Sequence, residues 1–264
     1  MSIKLIKKTI LIALISYFPL NAMAWGLLGH RVVGEIAQSY LSKKAGREVK
    51  KILGHESLAM ASNWADFIKS EPSYNYLANW HYINLPAGLS SDQIQNSLQK
   101  DTATNVYTKI RFLSSELKNN SLDQDKKVMY LRLLIHFVGD LHQPMHTGRF
   151  EDLGGNRVQL TWFGQSTNLH RLWDSDLIES QELSYTEYAR SLNFIDKSRL
   201  FQLQNEDVNI WVEDSYRISQ KIYANVNSGD KLGYRYIYDN LAVADQQLLK
   251  GGVHLAGLLN NIFN

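Results

Sequence analysis

The sequence predicts a mainly α-helical, single-domain protein with one short β-hairpin. Three observations predict it. Most of the chain beyond residue 24 repeats apolar residues at helical spacing, whereas Arg157 to Phe163 alternates Val158, Leu160 and Trp162 as a strand does. No internal repeat, low-complexity tract or linker divides the 264 residues, a length that can bury a sizeable core.

Residues 1–24 read as an export signal. Lys4, Lys7 and Lys8 give a basic start, Thr9 to Leu20 is largely apolar, and Ala22-Met23-Ala24 offers a small-x-small cleavage site. The apolar run is too short to be read as a membrane span. The expectation is therefore a mature domain of residues 25–264 that begins at Trp25, is exported to the periplasm or secreted, keeps no stable membrane association and is a monomer. Without the three signal lysines, 25 basic side chains face 26 acidic ones, a formal charge of −1. A broad basic surface for nucleic acid is thereby excluded. The absence of cysteine excludes disulfides and cysteine-based zinc sites alike.

His30 to Leu53 reads as one amphipathic helix with Val32, Val33, Ile36, Ala37, Tyr40 and Leu41 as its apolar stripe, ended by Gly54, beside which His55 is a helix-end residue. Ala59 to Ile68 is a shorter helical pattern. Asn79 to Asn84, closed by Pro86, reads as extended, which puts His81 and Tyr82 on opposite faces. Two long helices are expected over Asp92–Leu117 and Lys126–Leu141, joined by a polar turn over 118–125. The Asp152-Leu-Gly-Gly-Asn156 turn introduces the hairpin, expected to be the only sheet. Asn168 to Asp174 resumes helical spacing. Tyr185–Leu192, Asp207–Val226 and Leu232–Phe263 complete the chain, with Gly251-Gly252 interrupting the last helix, either to kink it or to admit another helix closely.

The chemistry concentrates in Leu134-Ile-His-Phe-Val-Gly-Asp-Leu-His-Gln-Pro-Met-His146. His136 and Asp140 lie four apart and project from one helical face, and Pro144 stops the helix before His146. An apolar helix holds so many ionisable groups at little cost only if a cation compensates their desolvation. His170 and Asp174 repeat the spacing. With the Trp25 amine, His30, Asp66 and His81, nine candidate ligand groups emerge, enough for two or three zinc ions with a position left for water. His142 faces away from the His136 stripe and is expected in a second-shell or helix-end role, and His254 in a structural or surface one.

Trp25 after a signal peptide, Trp64-Ala-Asp66, His81-Tyr-Ile-Asn84, His136-x-x-x-Asp140-x-His-Gln-Pro-x-His146, Asp152-x-Gly-Gly-Asn156 and Asn168-Leu-His170-x-x-Trp-Asp174 together resemble the zinc-dependent type I nucleases, the fungal S-one and P-one type and the plant bifunctional nucleases. The resemblance spans the mature chain in order. It implies the helical fold of zinc phospholipase C and a cluster of three zinc ions. Asp66, His81, His136 and Asp140 would hold one, His146, His170 and Asp174 the second, and the Trp25 amine and carbonyl, His30 and Asp140 the third.

Three zinc ions against three aspartates leave a charge of +3, which would attract phosphate to a nearly neutral protein. The implied reaction is hydrolysis of single-stranded DNA and RNA to 5′-nucleotides by a zinc-bound hydroxide, with 3′-nucleotidase activity beside it. Asp66 and Lys69 take the catalytic positions, Lys69 at the transition state. Tyr82 would stack on a base, and Asn156 would contact the nucleotide or orient a site histidine. Two rival readings are a zinc phospholipase C, in which the last ligand is typically glutamate where this chain has Asp174, and a non-catalytic zinc-binding protein.

Overall fold

The computed structural model describes residues 25–264, so the expected export signal lies outside the described residues. Helices dominate: α1 (Leu27–Ser39), α2 (Lys43–Leu53), α3 (Leu58–Ala61), α4 (Trp64–Phe67), α5 (Ser91–Gln99), α6 (Val106–Leu117), α7 (Gln124–His142), α8 (Leu169–Arg171), α9 (Leu177–Glu179), α10 (Tyr185–Leu192), α11 (Lys197–Gln204), α12 (Val208–Asn225) and α13 (Tyr234–Phe263). None of the described helices is long and apolar enough to cross a membrane.

The helix that carries the ionisable cluster, α7, lies in the middle. Asp123 caps its start by accepting from the Asp125 and Lys126 amides, and its second half is buried on every face. It packs against α6, α13, α12 and α1. A helix enclosed this way needs no apolar stripe, because all its sides are core.

Three expected helices each prove to be a pair; the 59–68 pattern divides into α3 and α4 at residues 62–63, and the other two divide at side-chain caps. The 30–53 pattern breaks at residues 40–42, where Ser42 accepts from the Ala45 amide and starts α2, while its own amide donates to Asn260 Oδ1 at 2.7 Å. The 92–117 pattern breaks at 100–105, where Asn105 and Thr108 form a reciprocal capping box. In both cases a local cap outcompetes a continuing apolar period. Helix α11, started by Asp196, went unread in the sequence because its apolar face is short.

The hairpin consists of β1 (Gln159–Trp162) and β2 (Gln165–Asn168), antiparallel with Leu160 opposite Thr167. It is not the whole sheet. A two-residue strand β3 (Lys231–Leu232) pairs parallel to β1, with Trp162 opposite Leu232. Two residues carry no readable period, and their pairing is decided by the distant chain they meet.

Gly251 and Gly252 do not interrupt α13, which runs unbroken through them. They serve close approach instead. A Cβ on Gly252 would lie 2.5 Å from Ile36 Cβ of α1 and 3.1 Å from the Val33 carbonyl. G252A is therefore expected to destabilise the protein by about 1 to 3 kcal/mol through overpacking, read as a lower urea midpoint with an unchanged m-value.

Candidate metal centre

Four parts of the chain converge on the C-terminal half of α7. Helix α1 brings His30, whose ring stacks on His136 with centroids 3.9 Å apart. The approach is possible because residue 139 is glycine: a Cβ there would meet His30 Nδ1 at 2.7 Å. Helix α4 brings Asp66. The extended segment after the 3-10 turn Pro72–Trp80 brings His81, buried, with Tyr82 alternating outward at 37% exposure. This segment is fastened to the chain after α7 by Ile83 N donating to His146 O and Leu85 N to Gly148 O.

The fourth part follows the hairpin. His170 lies on α8 and Asp174 in a π-helical turn, Leu172–Asp176. The wider turn lets the chain carry Asp174 inward while its carbonyl accepts from Gly26 N at 2.6 Å, which ties the N-terminal stretch to the centre. Trp25, beside Gly26, is buried.

Backbone carbonyls fix the imidazoles. Nδ1 of His136, His146 and His170 donates to the carbonyls of Ser62, His81 and Gly154, at 2.6, 2.6 and 2.7 Å. In the neutral rings this leaves each Nε2 as a bare lone pair turned to the interior. The Nε2 atoms of His81, His146 and His170, both nitrogens of His30, Asp66 Oδ2 and Asp140 Oδ1 are buried with no hydrogen-bond partner. Buried acceptors without donors are costly, and a cation relieves them.

Asp140 sits at the crossing, fully buried. Its carboxylate lies 2.8 Å from His81 Nδ1, 3.2 Å from His136 Nε2 and 3.3 Å from His30 Nε2. Potential ligand atoms fall into three groups, each within 4.8 Å: His30, Asp66 and His136; His81, His136 and Asp140; His146, His170 and Asp174. The donor chemistry is nitrogen and carboxylate oxygen, which transition metals such as zinc accept.

The charge states of three imidazoles suit ligation, while His136 goes the other way, raised by Asp140 and Asp66 in spite of its burial. Burial lowers the imidazoles of His81 to about 4, His146 to about 3 and His170 to about 4, so near neutral pH each offers a lone pair. Burial would raise Asp66, but His136 and Lys69 hold it down at about 2. Asp174 differs: burial pushes its carboxyl well above the usual range, only partly offset by the hydrogen bond from Gln143 Nε2. Among protein groups alone it would keep a proton, whereas a bound cation would favour the carboxylate.

The centre opens onto a cavity of about 700 Å³, lined among others by Lys69, Tyr82, Asn84, Leu153, Asn156 and Arg157. Lys69 Nζ contacts Asp66 Oδ1 at 2.5 Å. Tyr82 donates its hydroxyl to Asn79 Oδ1, and Asn156 donates to the Leu153 carbonyl of its own loop. Gly154 O, two residues before Asn156 in the same loop, accepts from His170 Nδ1.

His142 turns out of the centre altogether. Its Nδ1 donates to Val138 O, and its Nε2 meets His254 Nδ1 at 2.6 Å, with His254 Nε2 3.2 Å from Glu206. Of the two roles expected of His142 its contacts favour the helix end, in the last turn of α7, and His254 is structural and buried. Sequence reasoning passed over Asn84, Leu153 and Arg157; only their position beside read residues, in His81-Tyr-Ile-Asn84 and Asp152-Leu-Gly-Gly-Asn156-Arg157, could have marked them.

Residues 25–264 match the family described as S1/P1 Nuclease. The chain belongs to that family. Endonuclease 3 of Arabidopsis thaliana is 33% identical over 270 residues, covering 92% of this chain and 90% of its own. Nuclease P1 of Penicillium citrinum is 28% identical over 269 residues, covering 90% and 97%. Among solved structures, the Clostridium perfringens alpha-toxin aligns over 92% of this chain at 17% identity and a TM-score of 0.44, and the chain spans 64% of that toxin's length. As an S1/P1 family member the chain is a nuclease, and its His/Asp groups are its candidate metal ligands.

Two outcomes follow for this nuclease. G139A is expected to push His30 aside and weaken metal retention about tenfold, read by elemental analysis after dialysis against graded chelator, with the far-ultraviolet dichroism unchanged. In metal-stripped protein, His30, His81, His142, His146, His170 and His254 have folded pKa values below the ordinary 6.5, against His136 and Asp174 shifted upward. The unfolded chain then binds more protons below pH 6.5, so stability falls as pH drops from about 6.5 towards 4, measured as a lower urea midpoint at pH 5 than at pH 7.

Proposed function

We propose that the chain hydrolyses single-stranded DNA and RNA to 5′-nucleotides, and removes 3′-phosphates, with three zinc ions held by the Trp25 amine and carbonyl, His30, Asp66, His81, His136, Asp140, His146, His170 and Asp174. The observation that carries this reading is the set of buried imidazole nitrogens and carboxylate oxygens without hydrogen-bond partners, adjoining a cavity with the Tyr82 ring and polar side chains on its wall. Zinc held by these residues would supply Lewis acidity and lower the pKa of bound water to about neutral.

The protein's own groups do the rest. Lys69, positioned by Asp66, offers its ammonium to the charge that develops on the phosphoryl oxygens. Asp66, ionised near neutral pH, has Oδ2 unbonded and available as a ligand or proton acceptor. Tyr82 presents a half-exposed ring to a base. Stacking contributes about 1 to 3 kcal/mol per base and requires that the base be unpaired, which favours single strands. Asn156, with its amide nitrogen tied to its own loop, offers its oxygen to the nucleotide.

The N-terminal amine enters this reading through cleavage after Ala24, which accords with export to the periplasm or beyond. Support comes from Gly26 N bonding Asp174 O, which brings the chain beside Trp25 to the centre.

Purified protein with a free Trp25 amine should release 5′-mononucleotides from single-stranded DNA and RNA, lose this activity on chelation and regain it with zinc. D140N should lower kcat by at least about 100-fold, because the buried carboxylate that faces three imidazoles becomes a neutral amide. Protein retaining one extra residue before Trp25 should hold less zinc. Absence of nucleolysis by zinc-loaded protein would overturn the reading, and hydrolysis of a phosphocholine headgroup would then identify the rival activity.

A further inference from the structure

We propose that Arg157 binds a backbone phosphate next to the one being hydrolysed, and so makes the enzyme prefer longer strands over the shortest phosphodiester substrate. The inference rests on the nuclease reading above and adds a binding residue to it. Two cations, Lys69 and Arg157, line the cavity, and no carboxylate does. Lys69 is engaged by Asp66 at 2.5 Å. Among the described residues Arg157 forms no ion pair, and the one hydrogen bond of its guanidinium runs from Nη1 to the Glu151 carbonyl at 3.0 Å, a neutral acceptor. Most of a guanidinium's five donors therefore stay free at the exposed end of the cavity.

The loop that carries Arg157 is held firmly. Gly154 N donates to Arg149 O, Gly155 N to Asp152 Oδ1 and Arg157 N to Asp152 O, while Tyr223 donates its hydroxyl to Asp152. Gly154 O in turn accepts from His170 Nδ1. The guanidinium is thus part of a loop bonded directly to a metal-ligand candidate, one residue beyond Asn156. A planar fork held in that way suits a phosphate diester, and its place at the exposed end suits one that does not react.

The experiment compares zinc-loaded wild type, R157Q and R157K on a dinucleoside monophosphate, which has a single phosphate, and on a single-stranded hexanucleotide, which has flanking ones. R157Q should raise KM for the hexanucleotide about tenfold with kcat within about twofold, and leave the dinucleotide unchanged. The plot of log(kcat/KM) against log salt for the hexanucleotide should become shallower by about 0.7, the value for one phosphate contact on a single strand. R157K keeps the charge and should keep that slope. Equal losses on both substrates would show a merely structural role and overturn the inference, as would an unchanged hexanucleotide KM. Failure of wild type on both substrates would overturn the nuclease reading itself, and this inference with it.

Discussion

Asp140 is completely buried, and its two oxygens face the imidazoles of His30, His81 and His136 at 2.8 to 3.3 Å. Each of these histidines comes from a different element, α1, the extended segment after residue 80, and α7 itself. A buried charge is tolerated only when it is paired and hydrogen-bonded, so the elements around it are not free to drift. Burial would raise the Asp140 carboxyl, yet His136, His146 and His81 hold it well below the carboxylate range. The attraction that keeps it ionised is the same attraction that gathers the ligands.

Much of the packing can be understood as making room for that gathering. Gly139, one residue before Asp140, is bare on the side where His30 lies, and Gly252 is bare where α13 meets Ile36 of α1. Ser62, His81 and Gly154 give their carbonyls to imidazole Nδ1 atoms rather than to regular ladders. Irregular backbone at α4, at residues 144–147 and at the π-helical turn is where those carbonyls and side chains come free. The regular helices supply rigidity, and the breaks between them supply direction.

The candidate ligands stand out in the sequence for a chemical reason. Histidine and aspartate at four-residue spacing on apolar helices have few explanations other than a cation, and His136/Asp140 and His170/Asp174 both show it. His81 inward and Tyr82 outward agree with the expected alternation, although the extended chain begins only after His81: Asn79 and Trp80 belong to the 3-10 turn, and His81, at φ -84° and ψ -19°, ends it. What could not be read depended on partners far along the chain. Ser42 breaks the first helix with help from Asn260, and Lys231–Leu232 becomes a strand only because Thr161 and Trp162 lie beside it. The spacing of His142 turns it away from the His136 stripe, but its partner there, His254 on α13, could not be read.

Lys69 and Arg157 show how one kind of charge acquires two meanings from its surroundings. Both are cations on the wall of one cavity. Lys69 lies against a carboxylate of the centre, so its charge is balanced there and its position is fixed relative to the metal ligands. Arg157 is fixed by a neutral carbonyl, so its position is held without its charge being spent. A nearly neutral protein that must attract a polyanion from a distance gains most from charges of the second kind, whereas an ion-paired cation such as Lys69 acts at contact range on a phosphoryl group bound beside it. The same logic applies to the centre itself, where the aspartates are fewer than the charges that bound metal ions would bring. Attraction for the strand is then local to one face of the molecule, which is how a chain without a broad basic surface can act on nucleic acid.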